Sequence, residues 1–525
     1  MKRPSLWLAV LFLLCATGSY SVHAAIEYAN ISGGRVQGEV KDGLASFKGL
    51  PFAAPPVGAL RWRVPQPVIA WREVRKADTF ARACIQPWAG NPDPKLPSED
   101  CLYLNVWTAA ATAKERRPVM VWIHGGGLTN GMSWQLLSYG TKLAPEGVVL
   151  VTIAYRLGAL GFLAHPELTR ESGKASGNYG LFDTLAALKW VHANIAQFGG
   201  DPSRVTIFGG SSGALIVSLL AGAPAAKGLY QRAIAQGGGG FYPKFALYPQ
   251  PLGDAEMLGE EFFKSLGASE LKSARDLSAD AILKAPDPGP IARGALSTRP
   301  SGFGTTIDGD LIVGSNLELF EQARFNDTPI LVGFASDEVG ATPPQRLVDI
   351  LESAIAQSGC QDAQTAVSKA YPHPNAAERD TDRYLFRDFY DGWPTWTWAR
   401  LQSIKGHSPA YVYIFDVHDA DHPFGAWHAA EYPFVFGNFP KPPSPRDEAA
   451  SALIRKYWIN FAAHGDPNGP GLPVWNAFDE KSPTAMVFGD SSHSQPIPNI
   501  MGLRALDELL RCAKPQNTNA NTPSP

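Results

Sequence analysis

The sequence predicts an α/β fold, a large and mostly parallel central sheet flanked by helices, and three observations carry that expectation. Short apolar runs at residues 119–123, 148–154, 205–208, 329–334 and 411–415 have the β-branched and aromatic content of strands buried on both faces. Helical stretches at 180–198, 255–266 and 449–463 alternate with these runs, as a parallel sheet with helical crossovers requires. The third observation is local. Val205-Thr206-Ile207-Phe208 meets Gly209-Gly210-Ser211-Ser212-Gly213 and then an apolar stretch from Ala214 to Ala221, which reads as strand, tight turn and helix.

Composition agrees with a packed chain. Apolar residues make up 45% and charged residues 18% of the 525, which is ordinary for a globular protein and wrong for disorder. Lys and Arg number 46 against 49 Asp and Glu, a net charge of −3 with no long basic or acidic run. Neither a nucleic acid nor a polyanionic substrate therefore has an electrostatic footprint to bind. The length allows several domains or one large α/β unit. No fixed-period repeat, Gly/Ser linker or charge block divides the chain, which favours one domain over residues 25–513 and a disordered tail at 514–525, rich in Asn, Thr and Pro.

The first residues address the chain. Met1-Lys2-Arg3 is a positive start, Leu6 to Ala16 is apolar, and Val22-His23-Ala24 is a small-x-small cleavage signal ahead of Ala25. The apolar run falls short of the roughly 20 residues a spanning helix needs, so residues 1–24 read as a signal peptide and the mature protein as secreted or periplasmic, free of the membrane. Leu13-Leu14 lacks the small residue that precedes a lipidated cysteine, which speaks against an anchor at Cys15. Disulfides persist outside the cytosol. Cys84, Cys101, Cys360 and Cys512 allow three connectivities; Cys84 and Cys101 close a short loop rich in Pro and Gly and are favoured, while Cys360 and Cys512 remain open between a bridge and free thiols.

The chemistry centres on Ser211. Glycines on either side in a G-x-S-x-G turn let backbone pass closely while the strained turn exposes a hydroxyl, and Ser212 fails the same pattern because Ala214 stands where a glycine is needed. A serine needs a base to take its proton and donors to meet the oxyanion of the tetrahedral intermediate. The strand at 119–123 runs into His124-Gly125-Gly126-Gly127, a loop whose amides suit that second task.

With these segments in view, the chain resembles the type B carboxylesterases, the family that includes cholinesterases and bacterial para-nitrobenzyl-type esterases. The resemblance spans most of the mature chain: Gly49-Leu50-Pro51-Phe52-Ala53-Ala54-Pro55-Pro56 with Leu60-Arg61-Trp62, Ser98-Glu99-Asp100-Cys101-Leu102-Tyr103-Leu104-Asn105-Val106, Tyr155-Arg156-Leu157-Gly158 with Gly161-Phe162, and Gly177-Asn178-Tyr179-Gly180-Leu181 through Phe198-Gly199-Gly200-Asp201-Pro202. It implies an α/β-hydrolase fold and cofactor-free, metal-free cleavage of a small-molecule carboxylic ester through an acyl-enzyme. It also implies a bridge from Cys84 to Cys101, Ser211 as nucleophile, and the amides of Gly126, Gly127 and Ser212 as oxyanion hole. The acid of the family follows a strand, which points to Glu338 with Asp337 as fallback; the base precedes a Glu-x-x-x-x-Phe-Gly stretch, matched by Glu431 to Gly437, which points to His428. The order Ser, acid, His is that of this fold. Nothing in the sequence selects an oligomeric state.

Two positions depart from the family pattern. Gly210 stands where Glu is usual before the nucleophile and Ser212 where Ala follows it, and Gln236-Gly237-Gly238 replaces Gln-Ser-Gly. The expectation is that Gly210 opens room in the pocket or lowers its negative charge, favouring a bulkier or less cationic substrate. The cluster His418, Asp419, Asp421 and His422 reads as a solvated loop, Trp393, Trp396 and Trp398 as core, and Arg61, Arg156 and Arg400 as cations without an assigned place. Trp88, in the loop before Cys101, does not support choline-ester specificity. The competing readings are a catalytically silent binding protein of the same family, and an acyltransferase or an amide, carbamate or polyester hydrolase using the same site.

Overall fold

The computed structural model describes residues 25–87, 96–241, 249–289, 302–338, 355, 358–372, 380–418 and 425–512. Among these, eleven strands form one mixed sheet. In chain order they are β1 (Glu39–Lys41), β2 (Leu44–Pro51), β3 (Tyr103–Thr108), β4 (Arg117–Ile123), β5 (Val149–Ile153), β6 (Gly200–Gly210), β7 (Arg232–Gln236), β8 (Ile330–Ala335), β9 (Ala410–Phe415), β10 (Thr484–Phe488) and β11 (His493–Pro496). Their spatial order is β11-β10-β9-β8-β7-β6-β4-β5-β3-β2-β1. The strands from β10 to β5 in that order are parallel; β11 at one edge and β3, β2 and β1 at the other each pair antiparallel with the next strand inward. The α/β-hydrolase expectation is thereby met.

The strands are buried on both faces for the reason their composition suggested. Every residue of β5, β8 and β9 is buried, with Val149, Val151 and Ile153 facing one core and Leu150 the other. Helix α1 (Tyr179–Asn194) falls on the expected stretch and passes into a 3-10 turn over Ile195–Phe198, ended by Gly199 in the left-handed region. Helix α2 (Ser212–Gly222) follows β6 directly and is buried throughout. Helix α5 (Pro445–His464) starts earlier than its apolar periodicity, because Ser444 caps the amide of Asp447 at 3.1 Å and Pro445, Asp447 and Glu448 suit a first turn. Between them lie α3 (Leu252–Ser265) and α4 (Trp393–Lys405).

One buried ion pair locks the β5–α1 connection. Arg156 sends Nη2 to Asp183 Oδ1 at 2.7 Å and Nε to Oδ2 at 2.8 Å, while its own amide donates to Oδ2 at 3.0 Å. The two side chains are 4% and 0% exposed. Removing the acid would leave a guanidinium in the core, so Asp183→Leu is expected to cost about 3–5 kcal/mol in a urea melt. A loss below about 1 kcal/mol would mean that water reaches Arg156 and compensates it.

Both disulfides form, Cys84 to Cys101 and Cys360 to Cys512, with Cα separations of 5.0 Å and 6.0 Å. The second ties the helix at Gln361–Ala370 to the C-terminal helix at Ile500–Cys512. The leader, Trp88, and the tail from residue 513 lie outside the described residues. Among the described residues no helix is long and apolar enough to cross a membrane.

Candidate active site

Four adjacent parallel strands, β8, β7, β6 and β4, deliver the polar groups at their C-terminal ends, where ligands of open α/β sheets bind. Ser211 joins β6 to α2 with φ 56° and ψ −125°, a conformation that L-residues avoid and that throws the side chain clear of both elements. The flanking glycines explain themselves sterically. A Cβ on Gly209 would come within 2.6 Å of the Gly213 backbone, and one on Gly213 within 2.1 Å of the Ile123 carbonyl oxygen, so strand and helix meet only without side chains there. The Ser211 amide donates to the Gln236 carbonyl at 2.8 Å, holding the turn against the end of β7.

The glycine loop packs over this turn. A Cβ on Gly125 would stand 2.7 Å from the Gly210 carbonyl oxygen, and Gly126 and Gly127 take φ of 112° and 63°. His124 is buried, donates from Nδ1 to the Gly125 carbonyl at 2.8 Å, and stacks on Tyr155 with centroids 4.3 Å apart. Burial pulls its pKa down to about 4, so the ring is neutral and serves as a scaffold for the loop. Ser212, unusual at its position, has a reason: its hydroxyl accepts from the Leu128 amide at 3.3 Å and pins the loop to the elbow.

The two acids after β8 take different partners. Glu338 accepts from the Ala335 amide at 2.8 Å through Oε1 and is hydrogen-bonded to His428 Nδ1 through Oε2. Asp337 instead pairs with Arg383, accepts from the Ser336 hydroxyl at 3.0 Å and takes the Ala426 amide at 3.2 Å, so it anchors the loop that carries His428. Gly237, at the end of β7, lies against both partners: a Cβ there would be 3.3 Å from Glu338 Oε1 and 3.3 Å from His428 Cε1. Elbow, acid and imidazole thus converge on the ends of β6, β7 and β8.

A second ring of polar groups surrounds His428, and the sequence reading assigned it no role. Glu431 is 1% exposed, its Oε1 3.4 Å from the Tyr413 hydroxyl and its Oε2 without a hydrogen-bond partner among the described residues. Burial and the nearby Glu338 carboxylate push its pKa up to about 7. Asp391, also close, is driven upward by burial and by Glu338. Burial alone would lower the His428 pKa; the charge and hydrogen bond of Glu338, joined by the charges of Asp391 and Glu431, outweigh it and raise the value well above the ordinary one.

Of the two alternatives for Gly210, the one that it opens room in the pocket is corrected. A Cβ on Gly210 would lie 1.8 Å from the Tyr432 hydroxyl oxygen and 2.3 Å from Cζ, so the space beside the nucleophile is filled by a phenol and not left open. Tyr432 is held edge-on to Trp122, centroids 5.3 Å apart. Glu431 was visible in the quoted motif as a landmark only; Asp391 and Tyr432 had no local signal.

The remaining candidates are accounted for by structure. Trp393, Trp396 and Trp398 are buried in the core. Arg61 pairs with Glu99 at 2.6 Å, Arg156 with Asp183, and Arg400 stacks over Trp396 at 4.8 Å, so none is free for a substrate carboxylate. His418 stands 3.0 Å from Asp416 and 3.4 Å from Asp337, whose charge Arg383 already meets; Asp419, Asp421 and His422 lie outside the described residues.

This geometry has close counterparts. The model of the carboxylesterase family matches residues 21–499. The chain belongs to the carboxylesterase family. Like its relatives it is a type B carboxylesterase, a carboxylic-ester hydrolase. This carboxylesterase is 34% identical to the fumonisin B1 esterase of Sphingopyxis macrogoltabida over 87% of its own chain and 85% of the relative. It is 33% identical to the para-nitrobenzyl esterase of Bacillus subtilis over 87% and 93%. Among solved structures, a PNB esterase superposes with a TM-score of 0.79 at 30% identity, covering 92% of this carboxylesterase and 100% of that chain. A carboxylesterase of Geobacillus stearothermophilus gives 0.77 at 31%, covering 91% and 99%.

Proposed function

We propose that this carboxylesterase is an exported serine hydrolase working through an acyl-enzyme, with Ser211 as nucleophile, His428 as base and Glu338 as acid. The observation that carries the reading is the Glu338–His428 hydrogen bond at the strand end next to the strained Ser211 turn. Neutral His428 takes the Ser211 proton as the hydroxyl attacks the ester carbonyl, and Glu338 holds the ring with Nδ1 protonated and stabilises the imidazolium. The amides of Gly126, Gly127 and Ser212 receive the oxyanion, helped by the N-terminus of α2, whose dipole points its positive end at the same place. The imidazolium returns its proton to the leaving alcohol, and water repeats the cycle on the acyl group. Export is supported by the leader sequence and by two disulfides, which call for an oxidising compartment.

The pH profile tests the assignment. Only neutral His428 is a base, and the surrounding carboxylates hold its proton more tightly, so kcat/KM for p-nitrophenyl esters is expected to rise with pH through a midpoint well above the ordinary histidine value. Glu338→Gln removes the strongest of those charges and should lower both the midpoint and kcat. A flat profile from mildly acidic to basic pH, with the folded enzyme turning over, would exclude His428 as the base.

A further inference from the structure

The chain departs from a α-helix at one place beside the site. Residues Asp388–Gly392 wind as a single π-helical turn that leads into α4, and such turns are frequent at functional positions. The turn carries two acids with opposite surroundings. Asp388 is saturated: Arg387 pairs with it at 2.6 Å, and the Tyr371 hydroxyl and Asn499 Nδ2 each donate to it at 2.8 Å. Asp391 makes no hydrogen bond or ion pair among the described residues. Its carboxyl faces the paired glycines at the end of β7, where a Cβ on Gly238 would stand 3.5 Å from Asp391 Oδ1, while one on the adjoining Gly237 would touch the Glu338–His428 pair. Asp391 as a residue is intermediate in exposure, neither fully closed into the core nor free in solvent.

The charges around Asp391 are unbalanced. Glu338 and Glu431 repel it, Arg387 is engaged by Asp388 and by the Ser336 carbonyl at 3.1 Å, and His428 is engaged by Glu338. Left unpaired in a poorly solvated place, a carboxyl keeps its proton, and a partner of opposite charge is what returns it to the ionised form. We infer that Asp391 is a specificity-determining residue, an anionic subsite in the wall of the catalytic pocket that takes a protonated amine carried by the ester substrate. Glycine at 237 and 238 keeps that wall free of side chains, so an ammonium group reaches the carboxyl while the ester lies between Ser211 and the glycine loop. A bound cation favours the ionised form of Asp391 and offsets the repulsion from Glu338 and Glu431. The inference rests on the serine-esterase reading given above.

The test compares tertiary ω-dimethylaminoalkyl esters, and p-nitrophenyl esters of ω-dimethylamino acids, with isosteres in which CH replaces the protonated nitrogen, using short, medium and long spacers. The wild-type enzyme is expected to prefer the amine over its isostere by about tenfold or more in kcat/KM on at least one spacer, mostly through KM. Asp391→Asn brings that ratio close to unity and Asp391→Glu keeps part of it. Turnover of the isosteres with a wild-type ratio at or below unity on every spacer overturns the subsite and leaves the esterase reading standing. Silence of the folded wild-type enzyme toward all of these esters overturns both. If Asp391→Asn does not fold, the wild-type ratio decides alone.

Discussion

Ser211→Ala is expected to lower kcat for p-nitrophenyl esters by about four to six orders of magnitude while leaving the unfolding midpoint nearly unchanged. The size follows from the way a nucleophile, base and acid act as a unit, so that removing one member forfeits most of what the set achieves. What remains comes from the oxyanion donors and from binding. The small effect on stability follows from the turn itself. Ser211 sits at φ 56° because the glycines at 209 and 213 let strand and helix close on one another, and alanine pays the same backbone strain as serine. Its amide still donates to Gln236, and the Leu215 amide still donates to its carbonyl at 3.1 Å. Active-site titration with a phosphonate ester supplies the control, since the variant should take no label. A variant that keeps a tenth of the wild-type rate would move the nucleophile elsewhere.

Gly210→Glu, which would install the family's usual residue, is expected to damage this enzyme, with rescue by a second change at Tyr432. Gly210 has an ordinary backbone conformation, so a side chain there is opposed by its neighbour alone. That neighbour is close: the new Cβ would overlap the Tyr432 ring, with Oη at 1.8 Å, Cζ at 2.3 Å and Cε1 at 2.6 Å. Overpacking of this kind costs about 1–3 kcal/mol, and here the displaced backbone is the one that sets the angle of Ser211. Gly210→Glu and Gly210→Ala should therefore lose stability and kcat together. Tyr432→Leu alone opens a void beside Trp122, and the Gly210→Glu/Tyr432→Leu pair should recover stability beyond the sum of the single changes by about 1–2 kcal/mol. Additive effects would show that the phenol swings aside freely and that the two positions are not a matched pair.

Much of this protein was legible in the chain because the responsible interactions are local. A run such as residues 149–153 is apolar on both sides whatever surrounds it, so its place in the middle of a sheet is readable from its composition. The elbow is readable because its glycines, its serine and the following helix lie within a few residues. Glu338 and His428 were reached through segments similar to those of a known family, and their physical pairing needed the fold, as did the choice between Glu338 and Asp337: adjacent carboxyls of similar chemistry are separated only by which one meets the imidazole and which one meets Arg383.

Sequence by itself determined five of the inner strands, the long helices that alternate with them, the serine turn, the glycine loop and the membership that goes with them, since each is written in residues near one another. Tertiary structure alone decided that Cys360 joins Cys512, that Tyr432 fills the place facing Gly210, and that Asp391 and Glu431 crowd around His428. The physical reason is separation along the chain. Steric overlap and Coulomb interaction act over a few ångströms in space, and the strands that bring positions 210, 237, 338, 391 and 428 within that range leave no periodicity or motif at the residues they bring together.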